Sequence, residues 1–104
     1  MSSVEEEFAK NISRFDRKAA FGFSAIYQFF IADGVDYYLV IDAQDCGYQE
    51  GIHDHADIAM SMNHETLISV LDGSLDGMQA FMFGQVKVDG DLHLAKKLLD
   101  LFPR

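Results

Sequence analysis

The residues that attract attention first are His53, His55 and Asp57, which alternate along an extended stretch and so share one side of it, with His64 and Cys46 as possible additions. Imidazole, thiolate and carboxylate are transition-metal ligands. Nothing further places four donors in tetrahedral spacing, and alternate histidines in a polar segment between strands read as a solvated loop. Asp89-Gly90-Asp91 has the start of a calcium loop but lacks the repeated oxygen ligands and closing glutamate, so it reads as a turn followed by a helix cap. Cys46 with a distant histidine has no surrounding nucleophile signature. The chain contains no Gly-x-Ser-x-Gly elbow, no phosphate loop and no Gly-x-Gly-x-x-Gly. Glu5, Glu6 and Glu7 occupy a first helical turn, where carboxylates favour the helix dipole without any catalytic role. The expectation is a protein with no catalytic residue, no metal and no cofactor.

The elements that would position these groups follow from apolar spacing. Val4, Phe8, Ile12, Phe15 and Ala19 form one narrow stripe at helical steps. The period then becomes two: Phe21, Phe23, Ala25, Tyr27, Phe29 and Ile31 predict a long strand. Asp33-Gly34 marks a tight turn, and Val35, Tyr37, Leu39 and Ile41 continue as its hairpin partner. A weaker strand is expected within Cys46 to Gly51, and a clearer one through Ile58, Met60 and Met62. Asn63 caps a short helix ended by Gly73, and Ser74 is expected to cap a second, carrying Met78, Phe81 and Met82 and ended by Gly84. Val86 and Val88 make a last short strand. Asp91 caps a final helix on which Leu92, Leu94, Ala95, Leu98, Leu99, Leu101 and Phe102 fill about half the wheel, broader than packing on one surface requires. The order helix, four strands, two helices, strand, helix predicts an α+β fold, with helices packed on a mostly antiparallel sheet.

At 104 residues the chain is expected to form one domain, residues 1–104, large enough for a real core without disulfides. Acidic residues number 17 against 8 basic, a net charge of −9, which repels phosphate backbones and offers no polybasic handle for anionic lipids. Nucleic-acid binding is excluded, and membrane contact is expected to be transient at most. No apolar run approaches the roughly 20 residues of a membrane span. The start, Met-Ser-Ser-Val and three glutamates, lacks a secretory pattern; the ending Leu101-Phe102-Pro103-Arg104 does not match a peroxisomal address. With a single cysteine, this predicts a cytoplasmic protein.

The segment Leu71-Asp72-Gly73-Ser74-Leu75-Asp76-Gly77-Met78-Gln79-Ala80-Phe81-Met82-Phe83-Gly84-Gln85-Val86-Lys87-Val88-Asp89-Gly90-Asp91, followed by Leu92 to Phe102, resembles the sterol-carrier-protein type-2 family. That family has a glycine-ended helix, a second helix with an Ala-Phe-type centre, a Gly-x-x-Lys-Val-x-Gly-Asp strand and turn, and a Leu-rich closing helix. Gly84, Lys87, Val88, Gly90, Asp91, Leu94, Ala95, Leu98 and Phe102 stand where that pattern puts them, and Asp57 to Ser61 matches a further strand. The element order agrees over nearly the whole length, while the specific motif occupies the last third. The resemblance implies a five-stranded sheet and helices enclosing a hydrophobic tunnel, used non-enzymatically for sterols, fatty acids, acyl-coenzyme A or phospholipids. An alternative is an accessory interaction domain supporting a partner enzyme of lipid metabolism or an assembly.

Nine phenylalanines and five methionines, with no tryptophan, suit a large, deformable apolar interior. The same residues would serve equally as plain core. The residues expected to line a tunnel for an apolar lipid or acyl ligand are Phe8, Ile12, Phe21, Phe23, Tyr27, Leu39, Ile41, Met60, Met62, Met78, Met82, Leu98 and Phe102. Tyr27, Tyr37 or Gln79 could offer a headgroup one hydrogen bond.

Overall fold

Ser3 opens the first helix by accepting a hydrogen bond from the Glu6 amide, and the three glutamates that follow sit against the positive end of the helix dipole. The structure, a computed structural model, describes residues 3–102. Met1 and Ser2 of the expected start, and Pro103 and Arg104 of the ending, lie outside the described residues. The elements are α1 (Val4–Ile12), β1 (Ser24–Ile31), β2 (Tyr37–Asp42), β3 (Asp45–Glu50), β4 (Ile58–Met62), α2 (His64–Asp72), α3 (Gly77–Met82), β5 (Lys87–Gly90) and α4 (Leu92–Leu101).

The sheet order is β3-β2-β1-β4-β5, antiparallel throughout except for the parallel pair of β1 and β4 at its centre. Ala25, Tyr27, Phe29 and Ile31 of β1, Leu39 and Ile41 of β2, and Ile58, Met60 and Met62 of β4 are all buried, as alternation requires of a half-covered sheet. Phe8 reaches this face from α1, stacking on Tyr48 at 5.2 Å and meeting Phe29 edge-on at 5.6 Å. This is the expected α+β architecture.

Several boundaries differ from the expected ones: Val35 lies before β2 and Val86 before β5, and three others have a local reason. The apolar stripe outruns its helix: α1 ends at Ile12, and Asp16 starts a separate turn by accepting from the Lys18 and Ala19 amides. Phe15 still packs, on the Phe102 ring at 5.5 Å. Alternation also outruns its strand, since Gly22 at φ +74° turns the chain before β1 and leaves Phe21 79% exposed. The cap of α3 is Asp76 rather than Ser74, because its carboxylate accepts from both the Met78 and Gln79 amides. Asn63, Gly73 and Asp91 occupy the expected capping positions on α2 and α4.

Candidate functional site

Between the buried face of the sheet and the four helices lies a cavity of about 440 Å³, within the range of roughly 300–1,000 Å³ typical of ligand pockets. Each element contributes a wall. Phe8 and Ile12 come from α1, Phe29, Leu39, Met60 and Met62 from the sheet, and Leu67, Val70 and Leu71 from α2. Leu75, Gly77, Met78 and Phe81 close one side, Val86 and Val88 another, and Leu92, Ala95, Leu98, Leu99 and Phe102 the last. The inner wall residues Phe8, Leu39 and Leu67 are almost inaccessible, whereas Met78, Leu92 and Leu99 are between a third and a half exposed. That gradient puts the mouth between α3 and α4.

The polar lining is sparse. Asp76 is occupied by its cap, and the exposed Lys96 has no ion-pair partner among the described residues. Asn11 is different: it is only 6% exposed, and its Nδ2 donates to the Glu7 carbonyl at 2.9 Å and to the Leu71 carbonyl at 2.6 Å, tying α1 to the last turn of α2. An apolar interior with few polar groups gains free energy from contact area rather than from fixed partners.

Of the residues expected to line a tunnel, the structure brings Phe8, Ile12, Leu39, Met60, Met62, Met78, Leu98 and Phe102 into the cavity wall. Five do not line it. Phe21 and Met82 face solvent, 79% and 75% exposed, the first beyond the strand start and the second on the outer side of α3. Phe23 lies under the Lys97 ammonium, 5.4 Å from its ring centre, while Lys97 also donates to the Ala19 carbonyl. Ile41 is enclosed in the core. Tyr27 is fully buried with its hydroxyl donating to the Leu94 carbonyl at 2.8 Å, so it anchors α4, and burial pushes its phenol far above the ordinary range. Tyr37 and Gln79, the other expected headgroup donors, are likewise outside the wall.

Several wall residues escaped the sequence reading. Leu67, Val70 and Leu71 stand at helical spacing between Asn63 and Gly73, but spacing alone does not separate lining from packing. Asn11 carried a clearer signal: it falls on the same helical face as Phe8 and Ile12, a polar residue where the stripe calls for an apolar one.

The other candidate residues take part in local structural contacts, some through the backbone rather than the side chain. The His53 amide donates to the buried Gln28 Oε1 at 2.8 Å, the His55 amide donates to His53 Nδ1, and Asp57 accepts from the Ile26 amide at 2.7 Å. His64 pairs with Asp33, holding that carboxyl below its ordinary range through the His64 backbone and ring N–H groups. Among the described residues, no three His, Cys, Asp or Glu side chains come together as a metal site. Burial pushes the Cys46 thiol up, the opposite of what a nucleophile needs.

The model of the SCP-2 sterol transfer family matches residues 8–103. Hydroxysteroid dehydrogenase-like protein 2 of Bos taurus is 36% identical over 78 residues, 71% of this chain but 18% of that protein. The chain therefore spans under a fifth of that relative's length. Among solved structures, palmitated SCP2L2 from Aedes aegypti superposes with a TM-score of 0.77 at 18% identity, covering 99% of this chain and 96% of that one. The sec-alkylsulfatase Pisa1 from Pseudomonas sp. matches with a TM-score of 0.73 at 26% identity, covering 88% of this chain and 14% of the enzyme. No helix among the described residues is long and apolar enough to cross a membrane.

Proposed function

Because the chain belongs to the SCP-2 sterol transfer family, we propose that it binds a lipid or other long apolar ligand in the cavity under α1 and α4 and carries it without chemistry of its own. The observation that supports this most directly is the cavity wall, built from all four helices and the sheet and almost wholly apolar. At about 0.8 kcal/mol per buried methylene, ten methylenes contribute roughly 8 kcal/mol gross. Association and ordering cost on the order of 4–15 kcal/mol, so ten methylenes leave at most about 4 kcal/mol net, a millimolar Kd, and a micromolar Kd without an ionic anchor takes about fifteen buried methylenes at the low end of that cost. Discrimination among sterol, fatty acid and acyl thioester should be loose, since methionines in the wall adapt to ligand shape.

A second reading has its own support. The relative named above is a dehydrogenase-like protein several times longer than this chain, which favours a domain that serves a partner enzyme by holding its apolar substrate. In both readings the cavity holds lipid, and cytoplasmic residence and brief membrane contact belong to the same proposal. The exposed apolar side chains of Met82 and Phe83, beside the mouth residue Met78, are suited to such contact. The test is extraction of the purified protein with organic solvent and identification of co-purified lipids, followed by rebinding to delipidated protein. Folded protein that neither carries nor rebinds any long-chain lipid would sink the carrier reading; lipid that binds only with a captured enzyme would favour the second.

A further inference from the structure

We propose that Asn11 is the polar anchor of the cavity and that its side-chain carbonyl selects lipids carrying an O–H donor, an inference that rests on the lipid-binding reading. Both Nδ2 hydrogens are committed to carbonyl oxygens, those of Glu7 and Leu71, at 2.9 and 2.6 Å. Two acceptors there settle which way the amide is turned, because Oδ1 in that position would face two oxygens without a proton between them. Oδ1 is left with no donor among the described residues. No side-chain oxygen or nitrogen among them is both fully occluded and unpartnered, so Oδ1 keeps accessible surface. Asn11 is 6% exposed and forms part of the cavity wall, and on the proposed reading the surface that Oδ1 retains is the part that faces the cavity.

Tying α1 to α2 accounts for the two donors and leaves the acceptor without a use. A neutral acceptor in an apolar wall accepts from a hydroxyl or a protonated acid, repels a carboxylate, and is left unmatched by an ether or ester oxygen. A water can replace the missing partner, which limits the discrimination to the scale of one net hydrogen bond, about tenfold in affinity. The site thus adds a preference for lipid alcohols to an otherwise size-driven affinity.

The experiment compares hexadecanol with its methyl ether on the delipidated full chain, by displacement of a fluorescent fatty-acid probe, and follows the Asn11 side-chain carbonyl carbon by NMR. The alcohol should bind about tenfold more tightly and move that resonance, and the ether should not move it. Asn11→Leu should bring the two ligands to equal affinity. Should that variant fail to fold for want of its two helix-tying bonds, the affinity ratio and the resonance in the unsubstituted protein decide alone. Equal affinities, or equal movement of the resonance by both ligands, would overturn the anchor while leaving the carrier reading intact. Binding of neither ligand by folded protein would overturn both.

Discussion

Replacing Ala95 with leucine should shorten the ligand that the cavity accepts. Ala95 lines the wall on α4, partly buried and packed beside the core. With a methylene taken as similar in size to the ~30 Å³ share of a water molecule, the cavity of about 440 Å³ has room for fifteen or so chain units. Affinity in a saturated fatty-acid series should therefore rise with length and level off near that number. Ala95→Leu adds three carbons to the wall and should move the plateau down by about three, costing the longest ligands up to ~2.4 kcal/mol, or sixtyfold. Ligands too short to fill the cavity should keep their affinity. Stability of the ligand-free protein should hold or rise, because the new atoms fill space rather than displace neighbours. Calorimetry with acids of eight to eighteen carbons measures the plateau, and thermal melts measure stability. A plateau that stays in place, or one accompanied by a stability loss of 1–3 kcal/mol as in an overpacked core, would mean that Ala95 faces packed side chains and that the cavity does not extend to α4.

Leu98→Asp should abolish binding of an acyl probe and lower stability by several kcal/mol, since it places a carboxylate in an apolar wall; unchanged probe affinity in the folded variant would move the site elsewhere. Gly90→Ala should lower stability by about 1–3 kcal/mol, visible as a fall in Tm: Gly90 has φ +134°, and a Cβ there would lie 3.1 Å from Ile58 Cγ1. Tyr27 is held neutral by burial, its folded pKa above the ordinary 10.0, so its contribution is complete below that pH and is lost as pH rises through the raised value. Tyrosinate absorbance in a pH titration should therefore show one residue ionising only with alkaline unfolding, and Tyr27→Phe should remove that component while costing about 1 kcal/mol for the bond to the Leu94 carbonyl.

The fold was legible because the apolar period switches cleanly between four-three steps and alternation, and because Asn63, Gly73 and Asp91 punctuate it. Boundaries went astray where a polar side chain won a local competition, Asp16 against the end of α1 and Asp76 against Ser74. Site residues were harder. Periodicity says which residues turn away from water but not whether a protein atom or a ligand atom meets them there, so Leu67 and Val70 looked like Ile41. Tyr27 misled for a related reason: alternation puts its ring on the correct face, and only the position of the Leu94 carbonyl reveals that its hydroxyl is already used.

Those two roles of the interior are connected energetically. Kept dry and unfilled, about 440 Å³ of cavity would cost on the order of 10 kcal/mol at ~24 cal/mol per Å³, comparable to the entire stability of a domain this size, about 5–15 kcal/mol. A rigid wall would leave the fold without margin. On the proposed reading, the unbranched side chains of Met60, Met62 and Met78 would let the wall close in part without ligand, next to the partly exposed Leu92 and Leu99. On that reading an acyl chain would do for this protein what a further layer of core side chains does for others, replacing solvent-facing hydrocarbon with packed contact. Ligand affinity and fold stability draw on the same apolar surface, which is why chain length should matter more than chemical identity and why a single buried acceptor such as Asn11 Oδ1 is where any finer discrimination would reside.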